Sequence, residues 1–411
     1  MVLFNNMTDT NPQKIDEILT RGVENIYPSP KELEDVLKSG KKLRIYSGID
    51  PTGKLHIGHA AVLGKLRQFQ DLGHEIIVLI GDFTATIGDP TGKSETRKPL
   101  TRNQVLANAK DYKKQIGKIL DYSKSNVKFF HNEKWTNRLK PVDLLSIASN
   151  FTVARLLERD MFQKRIKEGK DIHMHEFLYP ILQAYDSVTM NVDMEIGGND
   201  QTFNMLAGRT LMKKMINKEK FVLTTKLLVD PTGKKMGKTE GNMINLDDKP
   251  KEMYGKIMSW SDDLIALGFE LCTMVSLNEI EEIIKEFDPR DQKARLAKEI
   301  VKIYHGEKEA KNAEEEFNKV FRDKELPADI PVFETNKKEY FVLDLLFDAK
   351  LAPSKNEAKR LVEGGAVEVM KITNVADVSY EKITDWKKEI ELEDGMIIKV
   401  GSRKFVKIIL K

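Results

Sequence analysis

The hydrophobic pattern near the start of the chain changes between two periods. Residues 43–49 and 75–80 are short runs rich in apolar side chains, and runs of this length predict buried strands. Between them, residues 58–72 carry apolar side chains on one helical face, and Gly73 is a typical stop signal. A strand, a helix and a second strand at this spacing predict a parallel sheet of Rossmann type, which places the chain in the α/β class.

The same reading extends along the chain. It predicts an irregular arm with short helices over 1–42, a helix over 103–120, a helix over 176–190, and further strands at 126–130, 193–196 and 222–225. We therefore expect a catalytic α/β domain over 1–225, with a helical insertion at about 103–190, a loop and linker over 226–248, an all-α domain over 249–330 and a small α+β domain over 340–411.

Composition narrows the class of protein. The 411 residues allow two or three domains, and the formal net charge of +3 means that any contact with nucleic acid depends on local basic patches. The single cysteine, Cys272, excludes an internal disulfide and suits a reducing cytosol. Residues 1–17 lack a signal-peptide core, and no apolar run approaches the ~20 residues that span a bilayer. We expect a cytoplasmic protein without membrane contact.

The stretch 46–59 carries the first candidate chemistry. Asp-Pro-Thr-Gly at 50–53 is a turn sequence, and the predicted helix begins just after His56. A strand, a turn and a helix N-terminus favour a bound phosphate, because free N–H groups and the helix dipole point at it. A lone histidine is more often structural, but His56 and His59 form a pair around Gly58, whose missing Cβ lets a flat ligand approach the backbone.

Two loops add lysines near the same predicted edge of the sheet. Gly-Asp-Pro-Thr-Gly-Lys-Ser at 88–94 follows the second strand, but the first glycine of a P-loop is missing at the required spacing, so we reject that motif. Lys-Lys-Met-Gly-Lys-Thr at 234–239 has glycines on both sides and is typical of a pliable cationic loop that closes over a triphosphate. Either segment alone could be a solvated basic turn.

A polar face and a second glycine turn complete the set. Tyr179, Gln183 and Asp186 fall at i, i+4 and i+7 on one face of the predicted helix, beside an apolar stripe. The edge of a solvated helix would look similar, but the absence of lysine suits a pocket better. Gly-Gly-Asn-Asp-Gln at 197–201 follows a strand and precedes a helix, as 50–58 do; a simple capped turn is the alternative.

These motifs, taken in order, resemble class I aminoacyl-tRNA synthetases. Leu-His-Ile-Gly-His at 55–59 resembles the HIGH motif, although that motif alone would also fit a small nucleotidyltransferase of the superfamily. Lys-Met-Gly-Lys-Thr at 235–239 resembles the KMSKS motif, with Gly237 and Thr239 in place of two serines. The segment 88–93, the Tyr-x3-Gln-x2-Asp face and the Asp-Gln turn resemble tyrosyl-tRNA synthetases of bacterial type, and residues 354–367 resemble an S4 RNA-binding domain.

The resemblance implies a role for each matching residue. The residues expected to be catalytic are Thr52, His56, His59, Lys93, Arg97, Lys235 and Lys238, with both histidines at the α-phosphate and the four cations near the ATP phosphates. The residues expected to bind ATP are Thr52, His56, Gly58, His59, Asp200, Lys235, Met236, Lys238 and Thr239, with Asp200 on the ribose. The residues expected to bind tyrosine are Tyr46, Gly48, Asp50, Asp89, Tyr179, Gln183, Asp186 and Gln201.

Within that tyrosine set the resemblance divides the contacts. Asp89, Tyr179 and Gln183 take the ammonium group, Asp186 takes the phenolic hydroxyl, and Gln201 lies at the carboxyl group. Tyr46 and Asp186 can both hydrogen-bond one phenolic hydroxyl, which argues for tyrosine as the substrate.

The expected partners follow from the same family. They are L-tyrosine, ATP with accompanying Mg²⁺, and tRNA(Tyr), and the insertion is expected to form a homodimer interface. Lys355, Lys359 and Arg360 would meet RNA phosphates, although a solvated helix face is the alternative. We see no protein cage for a metal. Two rival functions remain open: a tryptophan-specific synthetase, and a non-catalytic RNA-binding protein on a retained scaffold.

Overall fold

The computed structural model describes residues 8–91, 100–229, 243–321, 330–374, 377–401 and 404–411. The chain forms two compact units, Met1–Glu314 and Glu315–Lys411. In the part of the chain that the structure describes, no helix is both long and apolar enough to cross a bilayer.

A six-stranded sheet is the centre of the first unit. Its strands are β1 (Val23–Tyr27), β2 (Arg44–Ile49), β3 (Glu75–Ile80), β4 (Val127–His131), β5 (Met194–Gly198) and β6 (Phe221–Thr225). The spatial order is β1-β6-β5-β2-β3-β4, and all neighbours are parallel except the β1–β6 pair. The predicted parallel sheet is confirmed. The order reverses direction between β2 and β5, and open α/β sheets bind ligands at such a point.

Helices cover the sheet and fill the insertion. In the first part of the unit they are α1 (Pro12–Thr20), α2 (Pro30–Lys38), α3 (Ile57–Asp71), α4 (Thr84–Ile87), α5 (Arg102–Ala109), α6 (Tyr112–Ile116), α7 (Glu133–Thr136), α8 (Pro141–Ala148), α9 (Val153–Leu157), α10 (Asp160–Lys167), α11 (Met174–Met190) and α12 (Thr202–Ile216). A single 3-10 turn, Asn199–Gln201, links β5 to α12.

Burial of apolar side chains holds the central helix α11 in place. On one side it contributes Ile181 and Ala184 to a core with Ile147 of α8 and Leu211 of α12. Each large aliphatic side chain buried in this way contributes about 1.5–3 kcal/mol. An isolated helix of this length is marginal in water, so packing rather than helix propensity fixes the position of α11.

The N-terminal arm contains a strand that was not predicted. The short helices α1 and α2 lie where the sequence places them, but β1 lies between them and pairs antiparallel with β6. Of its five residues only Ile26 is buried, because an edge strand packs one face and exposes the other. The sequence Val-Glu-Asn-Ile-Tyr therefore lacks the apolar run that reveals a central strand.

The helix predicted over 103–120 is broken in two. A turn at residues 110–111 separates α5 from α6. The side chain of Asn108 donates to the carbonyl of Pro51 at 2.8 Å, and the hydroxyl of Tyr112 donates to the carbonyl of Gly53. These contacts fasten both short helices to the turn after β2, and tertiary bonds of this kind override local helix preference.

The last part of the first unit is helical, as predicted. Its helices are α13 (Pro250–Met258), α14 (Ile265–Cys272), α15 (Leu277–Glu286), α16 (Pro289–His305) and α17 (Glu307–Phe321), the last of which ends beyond Glu314. The spacing of Leu296, Ile300 and Ile303 predicts an apolar helix face, and in α16 the first two are fully buried and Ile303 is half-buried.

The second unit combines two helices with two sheets. Its elements are β7 (Val332–Thr335), β8 (Glu339–Phe341), α18 (Val342–Asp348), α19 (Lys355–Glu363), β9 (Val367–Asn374), β10 (Asp377–Ile383), β11 (Glu389–Glu391), β12 (Ile397–Val400) and β13 (Lys404–Leu410). The larger sheet has the order β10-β9-β12-β13-β7, and β8 pairs with β11. The apolar pattern predicts a helix over 341–349 and strands over 367–370, 396–400 and 405–410, and the structure has α18, β9, β12 and β13 there. The charged segments of β7, β8, β10 and β11 carry no such pattern, and these strands were not predicted.

Candidate active site

A cavity of about 320 Å³ opens at the carboxyl ends of β2 and β5, in the first unit. The predicted residues that line it are Tyr46, Gly48, Asp50, Thr52, His56, Gly58, His59, Asp89, Tyr179, Gln183, Asp186, Asp200 and Gln201. The structure therefore brings together residues from four separate stretches of sequence, 46–59, 89, 179–186 and 200–201. The predicted residues Lys93, Arg97, Lys235, Met236, Lys238 and Thr239 lie outside the described residues.

His56 and His59 lie at the start of α3, and each imidazole accepts a hydrogen bond from a backbone N–H group there. His56 is the N-cap residue, and its Nδ1 accepts from the N–H of Gly58 at 3.2 Å. The Nδ1 of His59 accepts from the N–H of His56 at 3.1 Å, and the two ring centres lie 4.1 Å apart. A neutral ring whose Nδ1 accepts must carry its proton on Nε2. Each Nε2–H is then a donor at a helix N-terminus, where the dipole favours an anion.

Gly58 has a steric role that the sequence did not reveal. A Cβ at this position would lie 3.1 Å from ring atoms of His56, closer than side-chain carbons normally approach. The sequence analysis assigned Gly58 to the close approach of a ligand. In the structure its missing side chain also makes room for the imidazole that caps the helix.

A later segment of the chain pairs with the histidine motif. The N–H of Ile57 donates to the carbonyl of Ile244 at 2.9 Å, and the N–H of Leu246 donates to the carbonyl of Leu55 at 3.0 Å. His56 and Asn245 thereby form an antiparallel bridge. On the other side of residues 230–242, Leu228 lines the cavity. The described residues that flank 230–242 are thus fixed at the cavity on both sides.

The polar face of α11 reaches into the cavity as the periodicity predicts. The hydroxyl of Tyr179 donates to Oδ2 of Asp50 at 2.8 Å, and Asp50 also accepts from Thr84 at 2.7 Å. The amide nitrogen of Gln183 donates to Oε1 of Glu195 at 3.0 Å. The three residues of the face are spread along the cavity, so they can contact different groups of one ligand.

Asp186 is a fully buried carboxyl group with two protein donors. Its Oδ1 accepts from Nε1 of Trp135 at 2.7 Å, and its Oδ2 accepts from the amide of Asn132 at 3.2 Å. Burial raises the pKa of Asp186 to about 8, since the two hydrogen bonds only partly offset desolvation and the charges of Glu195 and Asp50 add to it.

Asn132 and Trp135, which hold the Asp186 carboxyl group, were missed by motif reasoning. The available signal was positional: Asn132 directly follows β4, so it lies at the carboxyl edge of the sheet where ligands bind.

Asp89 lies on the opposite wall, between two donors. Its Oδ2 accepts from the amide of Gln201 at 2.8 Å, and its Oδ1 accepts from the hydroxyl of Thr91 at 2.6 Å. A buried guanidinium, Arg159, lies 3.9 Å from the same carboxylate. The two predicted residues Asp89 and Gln201 are therefore in contact before any ligand arrives.

Tyr46 is buried at the base of the cavity. Its hydroxyl lies 2.8 Å from Oγ of Ser187, the residue after Asp186. Burial and the neighbouring charge of Glu195 raise the pKa of Tyr46 well above its ordinary value, so its hydroxyl stays protonated. Tyr46 and Asp186 thus lie at the same end of the cavity.

Known proteins with similar sequences resolve the identity of the family. A family described as class I tRNA synthetases (W and Y) matches residues 38–322. The tyrosine–tRNA ligase of Thermotoga maritima is 45% identical over 404 residues, which cover 97% of this chain and 98% of that protein. The tyrosine–tRNA ligase of Aquifex aeolicus is 43% identical over 400 residues, which cover 97% of this chain and 99% of that protein.

The chain belongs to the tyrosine–tRNA ligase family. It is an enzyme of the aminoacyl-tRNA ligase class, as the motifs predict. Solved structures agree on the fold: a mitochondrial tyrosyl-tRNA synthetase from Aspergillus nidulans superposes with a TM-score of 0.65 at 24% identity, covering 75% of this chain and 94% of that one. A tyrosyl-tRNA synthetase from Archaeoglobus fulgidus, solved with L-tyrosine, gives 0.59 at 24% identity, covering 74% and 100%.

In this member of the tyrosine–tRNA ligase family, the predicted RNA-binding residues lie on α19 of the second unit. Lys355 lies 2.5 Å from Asp344, and Arg360 lies 3.4 Å from Glu357. The ammonium of Lys359 lies 4.4 Å from the ring centre of Trp386. They lie away from the buried side of α19, so all three cations can reach a ligand from solvent. In the described ranges, no group of three His, Cys, Asp or Glu side chains is arranged to hold a metal ion.

The raised pKa of Asp186 predicts a pH-dependent stability for this tyrosine–tRNA ligase. Between the ordinary value of 3.8 and about 8, the folded protein keeps a proton on Asp186 that the unfolded chain releases. The free energy of unfolding therefore falls as the pH rises through this window, by at most about 1.4 kcal/mol per pH unit from this group. Asp186→Asn removes the contribution. Urea unfolding from about pH 5 to about pH 8 should show the wild type losing stability relative to Asp186→Asn.

The exposed Asp16 provides a matched control. Asp16→Asn makes the same side-chain replacement at an exposed position, so its pH profile should run parallel to that of the wild type. Parallel profiles for Asp186→Asn as well would contradict the proton on Asp186.

Proposed function

We propose that this chain activates L-tyrosine with ATP in the cavity between β2 and β5 and then transfers the tyrosyl group to the 3′-terminal adenosine of tRNA(Tyr). The observation that carries the proposal is that the histidine pair and the polar face of α11 line one cavity. The carboxylate of tyrosine attacks the α-phosphate of ATP, and pyrophosphate leaves. A ribose hydroxyl of the tRNA then attacks the carbonyl of the adenylate, the anhydride C–O bond breaks, and AMP leaves. No protein nucleophile takes part, so catalysis comes from positioning and charge stabilisation.

The phenol of tyrosine would lie at the buried end of the cavity. Asp186 accepts one bond on each oxygen from the protein, and its carboxyl group has capacity for a further hydrogen bond with the phenolic hydroxyl. The hydroxyl of Tyr46 lies at the same end. Phenylalanine would leave these buried polar groups without a ligand partner, and an unpaired buried group costs about 1–3 kcal/mol. This difference supports selection of tyrosine.

The ammonium and carboxylate of tyrosine would lie nearer the mouth. Tyr179, Gln183 and Asp89 supply oxygen acceptors on two walls of the cavity, as an ammonium group with three donors requires. Gln201, in contact with Asp89, is placed to meet the neighbouring carboxylate. Gly48 and Asp50 at the end of β2 form the floor between these groups.

ATP would bind across the start of α3. The Nε2–H groups of His56 and His59 and the helix dipole stabilise charge at the α-phosphate, beside Gly58 and Thr52. Asp200 would accept from the ribose hydroxyls. Two further segments would contribute side chains at the triphosphate: one carries Lys93 and Arg97, the other Lys235, Met236, Lys238 and Thr239. Described residues close to each segment lie at the cavity, which supports this role. Mg²⁺ would accompany ATP on its phosphate oxygens.

A pair of variants should separate the two halves of the site. Asp186→Ala removes the acceptor for the phenol, so the dissociation constant for tyrosine should rise at least about tenfold while ATP binding is unchanged. Lys235→Ala with Lys238→Ala removes charge stabilisation, so adenylate formation should slow by about 100-fold or more while tyrosine binding is unchanged. Equilibrium binding and pre-steady-state fluorescence measure both quantities.

As a control for substrate identity, ATP–pyrophosphate exchange by the wild type is measured with each of the twenty amino acids in turn. Tyrosine should be the amino acid that supports exchange. Normal pyrophosphate exchange by Asp186→Ala would remove Asp186 from the tyrosine site, and normal adenylate formation by the lysine double variant would remove the loop from catalysis.

We also propose a homodimer formed through the helical insertion. Apolar side chains on α8, α9 and at the start of α11 face solvent in the single chain: Leu145 is 70% exposed, Val153 66% and Met174 77%. Because α8, α9 and α11 share one apolar core, exposed apolar side chains on all three support a protein interface on this insertion. These helices pack on α11, so an interface here would lie directly behind the polar face of the active site.

Charged substitutions in this cluster should dissociate the dimer. Leu145→Glu with Val153→Glu places carboxylates in the interface, and light scattering should show the mass of one chain instead of two. Met274→Glu changes a similarly exposed residue outside the insertion, 60% exposed, and should leave the mass unchanged. A wild-type mass equal to one chain would contradict the proposal.

The second unit would hold tRNA in the manner of an S4 domain, and the helical region over 249–330 would meet the anticodon arm. Lys355, Lys359 and Arg360 present cations on α19, and Trp386 beside Lys359 offers a ring for stacking. The proposed location is the cytoplasm, since a single cysteine suits a reducing compartment.

Loss of the three cations should weaken tRNA binding without affecting amino-acid activation. Replacing Lys355, Lys359 and Arg360 with alanine should reduce the salt dependence of tRNA binding by up to about three phosphate contacts, while pyrophosphate exchange stays at the wild-type rate. Lys31→Ala with Lys38→Ala on α2 is the control for a general loss of positive charge. An unchanged salt slope in the triple variant would contradict the assignment.

A further inference from the structure

A buried ion pair lies beneath the tyrosine site and is not explained by any motif. Lys220 directly precedes β6, and Glu195 lies in β5. Their charged groups form a contact ion pair, with side chains 0% and 3% exposed. Removing two charges from water is costly, and a buried pair often stabilises a fold no better than apolar side chains would. The pair therefore calls for an explanation other than stability.

The neighbouring helix makes room for this pair. A Cβ at Gly208 of α12 would collide with the ammonium of Lys220 and would lie 2.9 Å from Oγ of Ser187. Alanine normally favours a helix interior over glycine. Glycine at position 208 is therefore explained by the space that the Lys220 ammonium occupies and not by helix propensity.

The pair connects directly to residues that line the cavity. Glu195 uses its second oxygen, Oε1, to accept from the amide nitrogen of Gln183 at 3.0 Å. Lys220 donates to Oγ of Ser187 at 2.9 Å, and that hydroxyl lies 2.8 Å from the hydroxyl of Tyr46. In the sheet, Tyr46 and Glu195 are register partners across β2 and β5. One ammonium group thus anchors a network that ends on two substrate-binding side chains.

The chemistry of Glu195 determines which way the Gln183 amide faces. An ionised carboxylate can only accept, so Gln183 must turn its NH₂ group towards Glu195 and keep its carbonyl oxygen for a ligand. A protonated Glu195 could instead donate to that carbonyl oxygen, and the amide would then present N–H groups to the cavity. N–H groups repel an ammonium ion, whereas a carbonyl oxygen accepts from it.

We propose that Lys220 is a positioning residue for substrate recognition: by keeping Glu195 ionised, it holds the Gln183 carbonyl towards the ammonium group of tyrosine. The inference rests on the proposed function, in which Gln183 binds that ammonium. Lys220 does not touch the substrate. Its effect passes through Glu195 and should appear in the recognition of the ammonium group alone.

Two inhibitors that each lack one group of tyrosine test this selectivity. Tyramine keeps the ammonium and lacks the carboxylate, whereas 3-(4-hydroxyphenyl)propionate keeps the carboxylate and lacks the ammonium. In Lys220→Met, the inhibition constant of tyramine against pyrophosphate exchange should rise about 10- to 100-fold, while that of the propionate changes less than about twofold. In the same variant the KM for tyrosine should rise together with the inhibition constant of tyramine, whereas the KM for ATP should keep its wild-type value.

Glu195→Gln with Lys220 intact should reproduce the loss if the ionised carboxylate is the cause. The Lys220 ammonium can only donate, so it holds the carbonyl oxygen of the new amide, and the NH₂ group of that amide then faces Gln183. Gln183 would turn its own N–H groups to the cavity, so the inhibition constant of tyramine should again rise about 10- to 100-fold, while that of the propionate changes less than about twofold. Equal weakening of both inhibitors, or an unchanged tyramine constant in Glu195→Gln, would overturn the proposal.

Gly208→Ala provides an independent route to the same perturbation. It should displace the Lys220 ammonium and weaken tyramine binding in the wild type, and it should have no further effect in Lys220→Met. Gly255→Ala is the matched control, since it lies in helix α13 with no atom within 4 Å of an added Cβ. If Lys220→Met alone fails to fold, Gly208→Ala carries the test, and an unchanged tyramine constant in that variant overturns the proposal.

Gln183→Ala separates failure of this inference from failure of the proposed site. If Gln183→Ala does not weaken tyramine binding, Gln183 does not bind the ammonium, and the site assignment fails. If Gln183→Ala weakens it but Lys220→Met does not, the site assignment stands and the positioning role of Lys220 is wrong.

Discussion

The parallel pairing of β2 with β5 is the constraint on which the rest of the structure depends. The two strands pair only at Ile45 with Met194 and at Tyr46 with Glu195. Beyond these pairs the two chains leave the sheet in different directions, β2 into the turn before α3 and β5 into the turn before α12. The space between the two turns is the active-site cavity, so a short register match sets both the width of the cavity and the residues at its base.

The elements that the sequence predicts best are those whose local pattern agrees with their final environment. Strand β3 is apolar and buried from Ile76 to Ile80, and the polar face of α11 follows helical periodicity into the cavity. The histidine motif is visible because its turn, cap and helix start are contiguous. In each case, one short stretch of chain carries both the signal and the structure.

The features that the sequence does not reveal depend on contacts between distant residues. Strand β1 exists because β6 offers an edge, and the break between α5 and α6 exists because Asn108 and Tyr112 bond to a turn more than 50 residues earlier. The Asn132 and Trp135 bonds to Asp186, and the Lys220 contact with Glu195, join segments that no periodicity relates. Local propensity contains no term for such pairs, so they become visible only once the sheet order is known.

Because His56 and His59 cap α3, a loss of activity in a variant of either histidine has two causes. Each imidazole stabilises the start of α3 through Nδ1, so truncating either ring removes a structural hydrogen bond together with the Nε2–H group proposed to act in catalysis. A slower alanine variant would then combine a folding defect with a chemical one, and its activation barrier would overstate the contribution of the ring to the transition state. Asparagine at position 56 could keep the cap while shortening the reach, which would let the two defects be measured apart.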